Sequence, residues 1–118
     1  MNKQNQQALN LLVESLNKKQ FPIDEIKEYK DTLIIYLDHY LGNKTYIDGL
    51  NLLDDYFNHY LVKTYPLLST GLIKTHIQCL KRFYTVIYGK DLLTFEQYAK
   101  VFDWLVYKGD ALLEKYKG

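Results

Sequence analysis

The chain holds one cysteine, one arginine, one tryptophan and two prolines in 118 residues. A lone Cys79 cannot close an internal disulfide, which excludes a disulfide-stapled scaffold and fits a reducing compartment. A lone Arg82 excludes a reaction centre built from several guanidinium clamps. Unbroken apolar runs are only a few residues long, as in Leu33-Ile34-Ile35-Tyr36-Leu37, whereas a membrane span needs about 20. Met1 to Leu16 is rich in Asn and Gln and lacks an apolar h-region, so no signal peptide is expected. A cytoplasmic location with no membrane partner follows as the expectation. Fifteen basic residues face fourteen acidic ones, a formal charge of +1, so no global basic field draws in nucleic acid. Only a local patch could. There is no Gly-rich phosphate loop, Walker pattern or Cys-x-x-Cys, so no enzyme activity, catalytic residue, cofactor or metal is expected.

What is present reads as one globular domain over residues 1–118. Apolar types make up 47% and charged types 25%, enough to build a single core and too apolar for disorder. Pro22, Gly42, the Pro66 to Ser69 stretch and Gly89-Lys90-Asp91 divide the chain into five segments. Most of these repeat apolar residues at helical spacing.

Leu9, Leu12, Val13 and Leu16 stripe the first helix, about Asn5 to Lys18, and Phe21-Pro22 ends it. The second, about Asp24 to Leu41, buries Ile26, Tyr29, Leu33, Tyr36, Leu37 and Tyr40, and Gly42 suits the left-handed position after it. A strand over Leu33 to Leu37 is the alternative, which the flanks disfavour. The third opens at Thr45, with Asp48 as a weak capping box. It carries Leu50, Leu53, Phe57, Tyr60 and Leu61 to Pro66, with Gly49 as a liability in its first turn. The fourth spans Thr70 to Tyr88, capped by Ser69 or Thr70, with Gly89 past its end. Its core stripe is Ile73, Ile77, Leu80, Tyr84 and Ile87. Thr94 and Gln97 form the capping box of the fifth, which carries Tyr98, Val101, Phe102 and Leu105. Gly109 either weakens that helix or splits it into two. The expected architecture is therefore all-α: a compact bundle of five helices, or six if Gly109 divides the last.

Opposite the core stripe of the fourth helix lie Lys74, Gln78, Lys81, Arg82 and Thr85. Three cations, an amide and a hydroxyl on one face can contact phosphates and reach base edges. A merely solvated face is the plainer alternative. The nucleic-acid reading requires those cations to be exposed and contiguous with others, such as Lys44, Lys63 or Lys90, and not capped by carboxylates. His39, His59 and His76 fall on three different helices, and Asp55 with His59 supplies at most two ligands where a metal needs three or four. Cys79 and His76 are three apart, but Cys79 sits beside the core stripe, where a thiol behaves as a buried hydrophobe. Asp54 and Asp55 diverge by about 100° around a helix and form no acid/base pair.

Twelve tyrosines are the strongest compositional excess. Tyr29, Tyr36, Tyr40, Tyr60, Tyr84, Tyr98 and Tyr116 fit core or core-edge positions, whereas Tyr46, Tyr56, Tyr65, Tyr88 and Tyr107 fit the surface better. Phe83 and Trp104 also lie off a single stripe. Such side chains dominate interface energetics, which makes Trp104, Tyr107, Tyr88 and Tyr56 candidates for docking a protein partner or a second copy.

The stretch from Leu68 to Tyr88, with its Ser69 cap and its Leu80-Lys81-Arg82-Phe83-Tyr84 cluster, resembles the last major helix of the core-binding domain of tyrosine recombinases and phage integrases. Asp54 to Leu61 resembles the helix before it, and together the match covers about half the chain. The resemblance implies a SAM-like orthogonal bundle that clamps double-stranded DNA, with Lys74, Gln78, Lys81 and Arg82 as contacts and Phe83 and Tyr84 in the core. Nothing after Tyr88 offers the Arg, Lys, His and Tyr set of the recombinase reaction. The expectation is thus a non-catalytic binding module. The alternative is a protein-interaction or regulatory domain without a nucleic-acid role.

Overall fold

Helix α1, Lys3–Lys18, starts where Asn2 accepts a hydrogen bond from the Asn5 backbone N–H and buries Ala8, Leu9, Leu12 and Leu16. It ends in a Schellman turn: the Phe21 N–H bonds the Leu16 carbonyl and the Gln20 N–H that of Asn17. Gln20 takes the left-handed conformation (φ 58°) usually left to glycine. In this computed structural model, which describes residues 1–116, α2 runs Ile23–Ile34 and continues as a π-helical stretch, Ile35–Tyr40. The Leu41 N–H reaches back five residues to the Tyr36 carbonyl at 2.9 Å.

Three further helices complete an all-α bundle with one core. Helix α3 joins Leu53–Asp55, a π-helical Tyr56–Tyr60 and Leu61–Thr64. Helix α4 is Thr70–Gly89, capped by the Ser69 hydroxyl on the Leu72 N–H as its sequence indicates. Helix α5 joins Phe95–Asp103, a π-helical Trp104–Lys108 and Gly109–Tyr116, opened by the Thr94–Gln97 capping box. The radius of gyration, 13.7 Å, is that of one compact domain, for which about 13.5 Å is expected at this length.

Helix α4 is the central element and packs against α1, α2 and both halves of α5. Its buried surface is accordingly wider than one stripe and includes His76, Cys79 and Phe83. Gly109 does not split α5. It lets that helix approach α4, because an added Cβ would lie 3.1 Å from Ile77 Cδ1. Gly89 does not terminate α4 either. The helix includes it, and Asp91 (φ 61°) takes the left-handed position in a second Schellman turn.

The third helix begins at Leu53, eight residues after the expected start at Thr45. The Thr45–Asp48 pair exists, with the Thr45 N–H on Asp48 Oδ2 at 2.9 Å, but it closes a turn that leads into a short 3₁₀ stretch, Asp48–Asn51. Tertiary hydrogen bonds prevent a helix here. The Tyr46 carbonyl, which a helix would spend on the Leu50 N–H, accepts the Tyr84 hydroxyl at 2.8 Å, and the Leu50 N–H turns to Ile47. The Tyr46 N–H is held at 3.0 Å by the buried Asn5 side chain, whose amide also donates to the Leu37 and Lys44 carbonyls. Tyr46 and Tyr56, expected at the surface, are interior: Tyr46 is held through its backbone and packs its ring on Phe83, and the Tyr56 hydroxyl meets His76 Nδ1.

Tyr84 gives its one proton to Tyr46, so the Tyr36 hydroxyl, 2.6 Å away, must donate to Tyr84. Burial drives both hydroxyls well above the usual tyrosine range, which keeps the relay protonated. Gly49 makes room for it, since a Cβ there would collide with the Tyr36 hydroxyl. Gly49→Ala is therefore expected to destabilise the protein by roughly 1–3 kcal/mol through overpacking. Gly89→Ala, at the last helical residue of α4 with open space around it, is expected to stabilise by about 0.5 kcal/mol, chiefly by restricting the unfolded chain. Urea unfolding of the two variants checks the opposite signs.

Candidate functional site

The Schellman turn after α1 brings Lys19 and Phe21 against the polar face of α4. Phe21 and Tyr29 (α2) flank the Arg82 guanidinium, whose carbon lies 4.8 Å and 5.6 Å from their ring centroids. Arg82 Nε donates to the Tyr29 hydroxyl at 3.3 Å. The only arginine is thus half-buried and held in place, and Lys81 is half-buried as well, so of the three cations expected to be exposed only Lys74 fully is. Among the described residues no carboxylate pairs with Lys19, Lys81 or Arg82.

These three cations share an open groove of about 480 Å³ with Gln78, Thr85 and Phe102, and no Asp or Glu lines it. Lys19 also borders an adjoining depression with Lys18 and Lys90, where Glu14 pairs with Lys18 at 3.1 Å. Lys90 therefore extends the basic region, whereas Lys44 and Lys63 line neither depression.

The other end of the face is different. Glu25 and Glu28 of α2 meet Thr75, Gln78 and Cys79 around a cavity of about 230 Å³. Lys74 is exposed one turn before Gln78, so the candidate set does not form one uniform basic stripe. Lys81 and Arg82 face the carboxylate-free groove, Gln78 stands at the boundary, and Lys74 lies outside the groove lining. Lys19 was invisible as a contributor in sequence, because only the turn that ends α1 folds it onto α4.

Of the aromatic candidates, Tyr56 is fully buried, and its hydroxyl lies 2.8 Å from His76 Nδ1. It cannot present a surface. Trp104 is half-buried and stacked on Phe57 at 5.4 Å, and Tyr88 is half-buried and stacked on Tyr98 at 4.5 Å. Tyr107 alone among the four is exposed, at 72%.

Cys79 and His76 have separate partners. The Cys79 thiol donates to the Tyr29 carbonyl at 3.5 Å, and burial, reinforced by Glu28, pushes its pKa up, away from thiolate chemistry. Asp55 accepts the Tyr40 hydroxyl at 2.6 Å, and Asp38 lies 3.2 Å from the Met1 amino group. Among the described residues no three His, Cys, Asp or Glu side chains converge on a metal position, and no helix is long and apolar enough to cross a membrane.

Fold and groove together define an all-α five-helix domain with a basic, aromatic-edged surface on its central helix. Comparison with protein-family models, with curated proteins and with solved structures returns no match to this chain.

His76 generates a pH dependence. Burial lowers its pKa from 6.5 to about 4, so the folded protein keeps it neutral where the unfolded chain takes up a proton. The contribution is intact above pH 6.5 and is lost as pH falls through the window toward 4. Between pH 6.5 and 5 stability is expected to drop by about 1.5 kcal/mol on this account. His76→Gln, which retains a hydrogen-bond acceptor for Tyr56 without titrating, should flatten that slope in urea unfolding at the two pH values.

Proposed function

We propose that this chain is a non-catalytic binding domain that holds nucleic acid by its phosphates, in the groove between the end of α1 and the C-terminal half of α4. One observation carries this: Lys19, Lys81 and Arg82 converge on a groove that no carboxylate lines. Cations that are neither paired nor capped attract a polyanion despite a net charge of only +1. Arg82 is fixed by Phe21 and Tyr29, so less side-chain freedom is lost when a phosphate docks. The resemblance of Leu68 to Tyr88 to the integrase core-binding helix points the same way and makes duplex DNA the first ligand to test.

The interaction-domain alternative draws less support. Tyr56 is interior, and Trp104 and Tyr88 are spent on intramolecular stacks, which leaves Tyr107 without its proposed neighbours.

Three phosphate contacts give a slope of about −2.7 in log K against log salt, or roughly a 40-fold loss of affinity between 50 and 200 mM salt. A fluorescence-anisotropy titration with a short DNA duplex measures it. Lys19→Ala combined with Lys81→Ala should flatten the slope to about −0.9. Lys74→Ala, outside the groove, should leave it nearly unchanged. Salt-independent binding, or none at 50 mM, would remove the proposal.

A further inference from the structure

We infer that the preferred occupant of this groove is a single-stranded polynucleotide, whose bases stack on Phe102 and Phe95, the two ends of an aromatic row that continues from the cations. The inference rests on the phosphate-binding reading above and adds the kind of strand. Phe102 lines the groove itself, next to Thr85, and the Thr85 hydroxyl lies 3.0 Å from that of Tyr98. From there the rings follow one another: Phe102 to Tyr98 at 5.4 Å, Tyr98 to Tyr88 at 4.5 Å and nearly parallel, Tyr88 to Phe95 at 6.4 Å.

None of these four rings is fully buried, and Phe95 is 68% exposed at the first position of α5. That contrasts with the interior, where Tyr36, Tyr56, Phe57, Phe83 and Tyr84 are all sealed from water. Tyr98 and Tyr88 are half-buried and cover each other, and they brace the two end rings, Phe102 in the groove and Phe95 in solvent. Aromatic rings open beside unpaired cations hold unpaired bases through stacking that tolerates any sequence. Duplex DNA keeps its base faces inside its own stack and can offer only phosphates and groove edges to such a surface. A single strand can satisfy both halves at once: phosphates on Lys19, Lys81 and Arg82, bases on Phe102 and Phe95.

Anisotropy titrations compare a labelled single-stranded DNA, the RNA of the same sequence, and the DNA duplex of equal length with the whole chain and three variants. Either single strand should bind at least tenfold tighter than the duplex, and the difference between DNA and RNA reports on the sugar. Phe95→Ala, at an exposed position, should weaken single-strand binding about tenfold with an unchanged salt slope. Phe95→Trp should restore it. A 2-aminopurine placed in the strand should be quenched on binding to the parent protein and far less so on binding to the Phe95→Ala variant. Duplex binding as tight as single-strand binding, or a Phe95→Ala variant indistinguishable from the parent while Lys19→Ala/Lys81→Ala weakens binding, would overturn the single-strand inference and leave the phosphate groove standing. Failure of all three polymers to bind at low salt would overturn both.

Discussion

The fold turns on hydroxyl groups that have nowhere to go but one another. Tyr36, Tyr84 and the Tyr46 carbonyl form a relay through the middle of the bundle, and each link joins a different part of the chain: α2, α4 and the connection between α2 and α3. A buried polar group left without a partner costs about 1–3 kcal/mol, so these contacts act together or not at all. The Asn5 side chain does the same from α1, fixing the other side of that connection through Leu37, Lys44 and the Tyr46 N–H. No buried side-chain nitrogen or oxygen among the described residues lacks a partner. A tyrosine-rich interior is tolerable only because its polar ends are matched in this way.

That interior explains the surface. With α4 buried on a wide side against α1, α2 and α5, its remaining face is narrow, and the neighbours decide its character. At the N-terminal end α2 contributes Glu25 and Glu28; at the C-terminal end the turn after α1 contributes Lys19 and Phe21. The same helix face is therefore bordered by acid at one end and base at the other. The groove owes its polarity to packing, since the overall charge is close to zero.

Much of the helical framework could be read directly. Ser69, the Thr94–Gln97 box and Gly42 (φ 59°) act as their residue types suggest, because caps and left-handed turns are local and depend on a few neighbouring dihedrals. The stripe of α4 was equally plain. Less legible was the stretch from Thr45 to Leu52, where helical spacing of Leu50, Leu53 and Phe57 points to a helix that distant donors, Tyr84 and Asn5, pre-empt. Gln20 and Asp91 adopt left-handed turns with no glycine to announce them. The three π-helical stretches likewise carry no residue signal that spacing could separate from α-helix. In the candidate site, Lys81 and Arg82 were identifiable from their place opposite the stripe, whereas Lys19, Phe21 and Tyr29 were not, being far away in the chain.

Amino-acid order was sufficient for the all-α class, for most helix limits and for the choice of a polar face on residues 70–89, since periodicity and capping act over one or two turns. Which lysines gather there, whether Tyr56 faces water or His76, and that Gly49 and Gly109 serve close approach instead of weakening helices were all settled by contacts between segments distant in the chain. Such contacts obey steric fit and the matching of buried donors with acceptors, and neither quantity exists until the helices have met.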